Sequence, residues 1–302
     1  MTDATRASPK PVALLERLRE GSALPLLVVS LAIVGMWYLA AIWLNAGVVE
    51  QRLEHPTTEE FVAAAWSLER PVLPAPHQVA IEFYDSVFER KIDSPRSLVY
   101  HAYVTGSATL VGFAFGTLLG ILLALAIVRS RTLDRSLLPW IIASQTIPIL
   151  AIAPMIIVVL GNLGLTGLFP KAVISMYLCF FPVAIGMVKG LRSPDPLQLD
   201  LMRTYSASPT QTFWKLRWPA SMGFLFPSLK VAIAISLVGA IVGELPTGAQ
   251  EGLGARLLSG SYYGQTVQIW SALLMAALLG MVLVAAVGAV ERIVLRHMGG
   301  AR

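Results

Sequence analysis

The stretch VTGSATLVGFAFGTLLGILLALAIV, residues 104–128, contains no charged side chain. As a helix rising 1.5 Å per residue it would be about 37 Å long, enough to cross a hydrocarbon core of roughly 30 Å. Residues 23–49 and 267–290 read the same way. Between these anchors, residues 136–170 are also uncharged but are interrupted at Gly161-Asn162-Leu163-Gly164-Leu165-Thr166-Gly167, which is turn chemistry. That predicts a third span over about 137–160. A fourth is predicted over 172–188, between Lys171 and Lys189. A fifth, about 224–245, contains Lys230 and Glu244, and the lysine is expected to snorkel to the interface. The fold class is therefore an all-α integral membrane protein with six transmembrane helices.

Composition agrees with this reading. Hydrophobic residues make up 56% of the 302 and charged residues only 14%, against about 25% charged in an ordinary soluble domain; mean hydropathy is +0.68. The single cysteine, Cys179, excludes an internal disulfide, and four scattered histidines form no metal-ligand spacing. Residues 1–22 carry both charge signs and no cleavage pattern follows them, so the first span is expected to be retained. A net charge of +5 would suggest a nucleic-acid partner in a soluble chain. Here membrane orientation accounts for it, because an inside N-terminus places sixteen of the 23 Lys and Arg on the inner side. Both termini are thus expected in the cytoplasm, with the tail over 291–302.

The loop over 50–103 lies outside on this scheme. Thr57 and Glu60 form a capping box ahead of Phe61, Ala65 and Leu68 at helical spacing. After Pro71, Pro74 and Pro76, a second apolar stripe comprises Val79, Phe83, Val87 and Phe88. These helices are expected to lie on the membrane surface, or to offer a docking face.

Within the bundle, Gly112, Gly116 and Gly120 recur at every fourth residue, as do Gly186 with Gly190 and Gly239 with Gly243. Small residues on one face let helix backbones approach closely in lipid. Pro139, Pro148 and Pro154 crowd the third span beside Gln145 and Thr146. Broken helices survive in membranes where protein or a watery cavity covers the freed carbonyls. Gln145 and Thr146 are therefore candidate pathway-lining residues, with inter-helix hydrogen bonding as the alternative. Tyr177 and Ser236 are added as polar groups within spans. So is Glu244, since an intramembrane carboxylate is rare and needs a partner or water.

The inner loop, 191–222, reads as a helix pair. Ser193-Pro194 is a cap with proline in first position, and Ser208-Pro209 with Gln211 repeats the pattern; the second helix should end before Pro219. This loop resembles the signature of binding-protein-dependent ABC importer permeases, E-A-A-x3-G-x9-I-x-L-P. Asp200, Leu201 and Met202 stand at its start, Ser206 at its glycine, and Leu216, Trp218 and Pro219 at its end. Leu73-Pro74-Ala75-Pro76, Gly112-Phe113, Ile147-Pro148, Phe181-Pro182 and Gly252-Leu253-Gly254 follow the order of the nitrate, sulfonate, taurine and pyrimidine-precursor branch.

The resemblance implies a permease of the bacterial inner membrane, built as a five-span core over 104–290. It further implies a second permease subunit, an ATPase subunit, and a periplasmic binding protein that delivers a small polar solute. Asp200, Leu201, Met202, Arg203, Tyr205, Ser206 and Pro219 would form the coupling surface for the ATPase. No G-x-x-x-x-G-K-[ST] phosphate loop occurs in the chain, so no cofactor is expected on it and ATP would bind the partner. Within the branch, the region around residues 144–148 resembles pyrimidine or thiamine-precursor permeases more than sulfonate ones. A stand-alone secondary transporter would show duplicated halves, and none is found.

Overall fold

In the computed structural model, residues 23–53, 55–246 and 251–298 are described; the expected N-terminal segment and the last four residues lie outside them. The chain separates into two compact units, Met1–Ile81 and Glu82–Arg302. All regular structure among the described residues is helical.

The first unit holds α1 (Ala23–Glu50), α2 (Thr58–Ser67) and the start of α3 (Pro76–Tyr84). The Thr57–Glu60 capping box forms as read, and hydrogen bonds from the Thr57 amide and hydroxyl hold the Glu60 carboxyl below its usual range. Phe61, Ala64, Ala65 and Leu68 pack on Ile42, Val48 and Val49 of the first span. The apolar stripe of α2 thus packs on α1. Asn45, fully buried, clasps the two segments: its amide donates to the Ala65 and Leu73 carbonyls, and its oxygen accepts from the Val72 and Leu73 amides.

The second unit contains α4 (Leu98–Arg129), α5 (Arg131–Ser144), α6 (Ile149–Asn162) and α7 (Leu168–Leu191). These are followed by α8 (Pro196–Thr204), α9 (Pro209–Thr212), α10 (Trp218–Glu244), α11 (Leu253–Tyr262) and α12 (Thr266–His297). Among the described residues five helices are long and apolar enough to cross a membrane, the fourth running from Pro209 to Glu244. The third span is not one straight helix: α5 and α6 meet at a bend of 98°. Together they still return the chain from the end of α4 to the start of α7. That return is required, because α4 and α7 run parallel: successive glycines 112, 116 and 120 face Ala172–Ser175, Met176–Cys179 and Phe180–Ala184 in the same order.

At Gly116 an added Cβ would stand 2.1 Å from Cys179 Sγ and 2.9 Å from the Met176 carbonyl. On the opposite side, Gly239 and Gly243 of the antiparallel α10 face Ser175 and Lys171, while Gly186 and Gly190 of α7 face Ser228 and Ser221. Helix α7 is therefore gripped between α4 and α10 with backbones almost touching. Lys171 falls inside its first turns, 6% exposed, and not in a preceding loop. Lys230 pairs with Glu291 of α12.

Gly116→Leu should cost about 1–3 kcal/mol or more through overpacking at this contact. Gly223→Ala, where nothing lies within 4 Å of the added carbon, should be neutral or slightly stabilising. Thermal unfolding of the two detergent-solubilised variants checks the contrast.

Candidate functional site

Three polar regions interrupt the bundle, and the first is the helix pair between α7 and α10. Helix α8 begins two residues later than Ser193-Pro194 would give. Asp195 is its cap, with a box to Gln198, while the Ser193 hydroxyl turns back to the Gly190 carbonyl. The second box, Ser208 with Gln211, forms as read.

Between the two, Ser206 adopts φ of +50°, the left-handed conformation normally left to glycine. Its amide donates to the Arg203 carbonyl and the next amide, of Ala207, to Met202. These two bonds are the Schellman closure of a helix. The signature's tight turn is kept despite the serine, at a cost of about 1–2 kcal/mol. Helix α9 does not stop before Pro219. A wide turn over Phe213–Arg217, in which the Trp218 amide reaches back to the Phe213 carbonyl, runs directly into α10. The extra residue in that turn makes room for the proline ring and its missing N–H.

Neither α8 nor α9 has a buried residue. Leu197, Leu201 and Tyr205 stand 77%, 55% and 76% exposed. Asp200 and Arg203 bond to one another at 3.0 Å. At the base, Arg217 donates to the Leu191 carbonyl, and Phe213, Trp214 and Trp218 form an aromatic cluster. That cluster escaped the sequence reading except for Trp218.

The second region is the break between α5 and α6. Pro148 has no amide to offer the Ser144 carbonyl four residues back. The Tyr177 hydroxyl, from α7, donates to that carbonyl instead. Gln145 is half-buried and Thr146 exposed at the same bend, so the structure brings Gln145, Thr146 and Tyr177 together.

Ser236 and Glu244 are elsewhere and are fully buried. Ser236 lies in the α4–α7–α10 contact: its hydroxyl donates to the Thr109 carbonyl, and the Ser175 hydroxyl donates to the Ser236 carbonyl. Within this chain both side chains are engaged in contacts between helices.

Glu244 ends α10 in the third region. Its carboxylate accepts from Thr105 Oγ1 at 2.9 and 3.0 Å and from the Gly254 amide at 2.8 Å, and it pairs with Lys171 Nζ at 3.5 Å. Lys171 also donates to the Glu251 carbonyl. The Leu253 amide donates to Thr105 Oγ1, and the Gly252 amide to His101 Nδ1. His101 Nε2 therefore carries the proton and faces the Pro95 carbonyl at 2.8 Å. A Cβ on Gly252, whose φ is +114°, would sit 2.1 Å from the Glu244 carboxyl carbon. The Gly-Leu-Gly motif is thus the backbone that fits against a carboxylate. Lys171, Thr105 and His101 were not singled out from sequence. Lys171 is 73 residues from Glu244, and no local spacing signals the pairing.

Residues 116–300 match the family described as Binding-protein-dependent transport system inner membrane component. The chain belongs to this family. It is an ABC importer permease, and with its several apolar helices a multi-pass protein of the inner membrane. A probable ABC transporter permease protein of Haemophilus influenzae is 31% identical over 71% of this chain and 82% of its own length. The formylaminopyrimidine transport permease protein ThiX of Halalkalibacterium halodurans is 31% identical over 74% and 85%. The riboflavin transport system permease protein RibX of Chloroflexus aurantiacus is 30% identical over 74% and 80%. The family match takes in the helix pair, the α5–α6 break, Lys171 and Glu244, and leaves α1 to α3 and the first part of α4, with His101 and Thr105, outside.

Removing one partner of a buried ion pair strands the other charge, at a cost of about 3–5 kcal/mol. Lys171→Met should therefore destabilise the permease strongly, and Lys171→Met with Glu244→Gln should recover part of the loss. A double-mutant cycle on thermal stability measures the difference.

Proposed function

We propose that this permease forms the translocation pathway together with a second permease subunit, and that a separate ATPase subunit drives it by docking on the loop formed by α8 and α9. A periplasmic binding protein would deliver the solute to the other end of the bundle. ATP would bind the ATPase subunit, with no cofactor held by the permease. The observation that carries the reading is the exposed face of Leu197, Leu201 and Tyr205, together with Met202. It stands on a helix closed by its own capping box and Schellman turn. A preformed surface loses little conformational entropy on docking, and an aromatic anchor such as Tyr205 commonly carries 2 kcal/mol or more of binding. Asp200 and Arg203 present paired charges beside it, and Ser206 and Pro219 fix the turns at either end.

Gln145, Thr146 and Tyr177 are proposed as pathway-lining. Their neutral polar character suits a small polar solute, and a pyrimidine or thiamine-precursor compound is the proposed class. In favour stands the 31% identity to the formylaminopyrimidine permease, against 23% to an aliphatic sulfonates permease of Bacillus subtilis and 23% to a nitrate permease of Synechocystis. A sulfonate, taurine or nitrate permease is the second reading, supported by those same relatives.

Met202→Ala with Tyr205→Ala should leave the permease inserted while reducing copurification of the ATPase about tenfold or more. A double variant that retains full ATPase binding would remove this loop from coupling.

Both termini are proposed to be cytoplasmic, on the asymmetry of basic residues. In a Cys179-free background, cysteines at positions 60 and 163 should label from outside and one at position 300 only from inside. Outside labelling at 300 would overturn the topology.

A further inference from the structure

Where α11 begins, residues 251–254 are held by side chains of α4, α7 and α10. Each of these four consecutive residues gives one backbone group to the corner. The Glu251 carbonyl accepts from Lys171 of α7, and the Gly252 amide donates to His101 of α4. The Leu253 amide donates to Thr105, also of α4, and the Gly254 amide to Glu244 of α10. All four side chains that grip the corner are buried. Thr105 has a double part, since its oxygen accepts from Leu253 while its proton goes to the Glu244 carboxylate.

Seen from its other end, α10 is continuous with the exposed loop. One helix of 36 residues runs from Pro209 to Glu244, about 54 Å at 1.5 Å per residue. Its first residues belong to the proposed ATPase-docking surface and its last residue is the Glu244 of the corner.

We infer that this helix is a lever and that the Glu244, Lys171, Thr105 and His101 cluster is the latch at its far end, which makes α11 move with α4, α7 and α10 when the loop is displaced. The inference rests on the docking role proposed for the loop. Lys171, Thr105 and His101 are then positioning residues for transport: they transmit movement and touch no solute. A well-packed helix behaves as a rigid body, so displacement at one end appears at the other unless the contact there slips. Slipping is prevented here by four hydrogen bonds with no solvent to replace them. A buried amide that loses its partner is costly, which keeps the corner closed.

The test uses the assembled importer in lipid nanodiscs, with Cys179→Ser as background and one reporter cysteine at a time. Gly223→Cys reports the loop end of α10, where the position is exposed and open. Tyr262→Cys reports α11, where the side chain is 79% exposed. Reaction rates with a water-soluble maleimide are compared without nucleotide and after trapping with Mg-ATP and orthovanadate.

Both reporters should change rate on trapping. In Thr105→Val, which keeps the shape and removes the hydroxyl, the response at 223 should persist. The response at 262 should fall about tenfold, the weight of one buried hydrogen bond. Thr105→Ser should restore it. General unfolding would instead alter both reporters before any nucleotide is added, and would count against a latch. If neither reporter responds in the Thr105 chain, the docking role of the loop fails and the lever with it. If 223 responds but 262 does not, or if 262 responds equally in Thr105→Val, the latch alone is overturned.

Discussion

The architecture depends on how closely α7 lies against α4 and α10. Between apolar helices in lipid there is no hydrophobic driving force of the kind water supplies, so association rests on dispersion contacts and inter-helix hydrogen bonds. Both require short distances. The glycines at 112, 116 and 120 on one side, and at 239 and 243 on the other, remove the Cβ atoms that would hold the backbones apart. Only because they do can Ser175 reach the Ser236 carbonyl, Ser236 the Thr109 carbonyl, and Cys179 the Gly112 carbonyl. Each bond satisfies a polar side chain on a neighbour's backbone and fastens one helix to the next. The middle of the subunit is filled by these contacts.

Proline is accommodated according to what lies nearby. At Pro148 the chain breaks, and the carbonyl freed at Ser144 is taken by Tyr177 from α7. At Pro219 no break occurs, because the wide turn over Phe213–Arg217 shifts the hydrogen-bonding frame ahead of the ring. Pro182 and Pro227 lie inside helices that continue through them. Proline therefore marks a place where a backbone group needs another partner, and the surrounding fold decides whether the result is a bend, a wide turn or a straight helix.

That distinction explains what the sequence reveals. Features built from residues within one turn were legible: the capping boxes at Thr57 and Ser208, the glycine faces, and the turn at residues 161–167, where Gly164 and Gly167 take positive φ. So was the Gly-Leu-Gly motif as a motif, although its reason was not. The unread features are pairings across the chain. Asn45 clasps residues 65–73, Tyr177 reaches back 33 residues to Ser144, and Lys171 meets Glu244 from another helix. Lys171 bounds the fourth span in the sequence because a lysine ordinarily ends an apolar run. Its burial became possible once Glu244 and the Glu251 carbonyl supplied an anion and an acceptor.

A buried pair of this kind is not an efficient source of stability. Taking two charges out of water costs several kcal/mol each, and apolar residues of similar volume would often serve as well or better. What apolar residues cannot do is bind four successive backbone groups of an irregular corner in one register. Leucine against leucine slides at little cost, whereas a carboxylate shared between Thr105, Lys171 and the Gly254 amide has one arrangement in which all its partners are met. Buried polar networks that are fully satisfied confer that kind of uniqueness. The glycines at 252 and 254 are what bring the backbone near enough for the carboxylate to hold it.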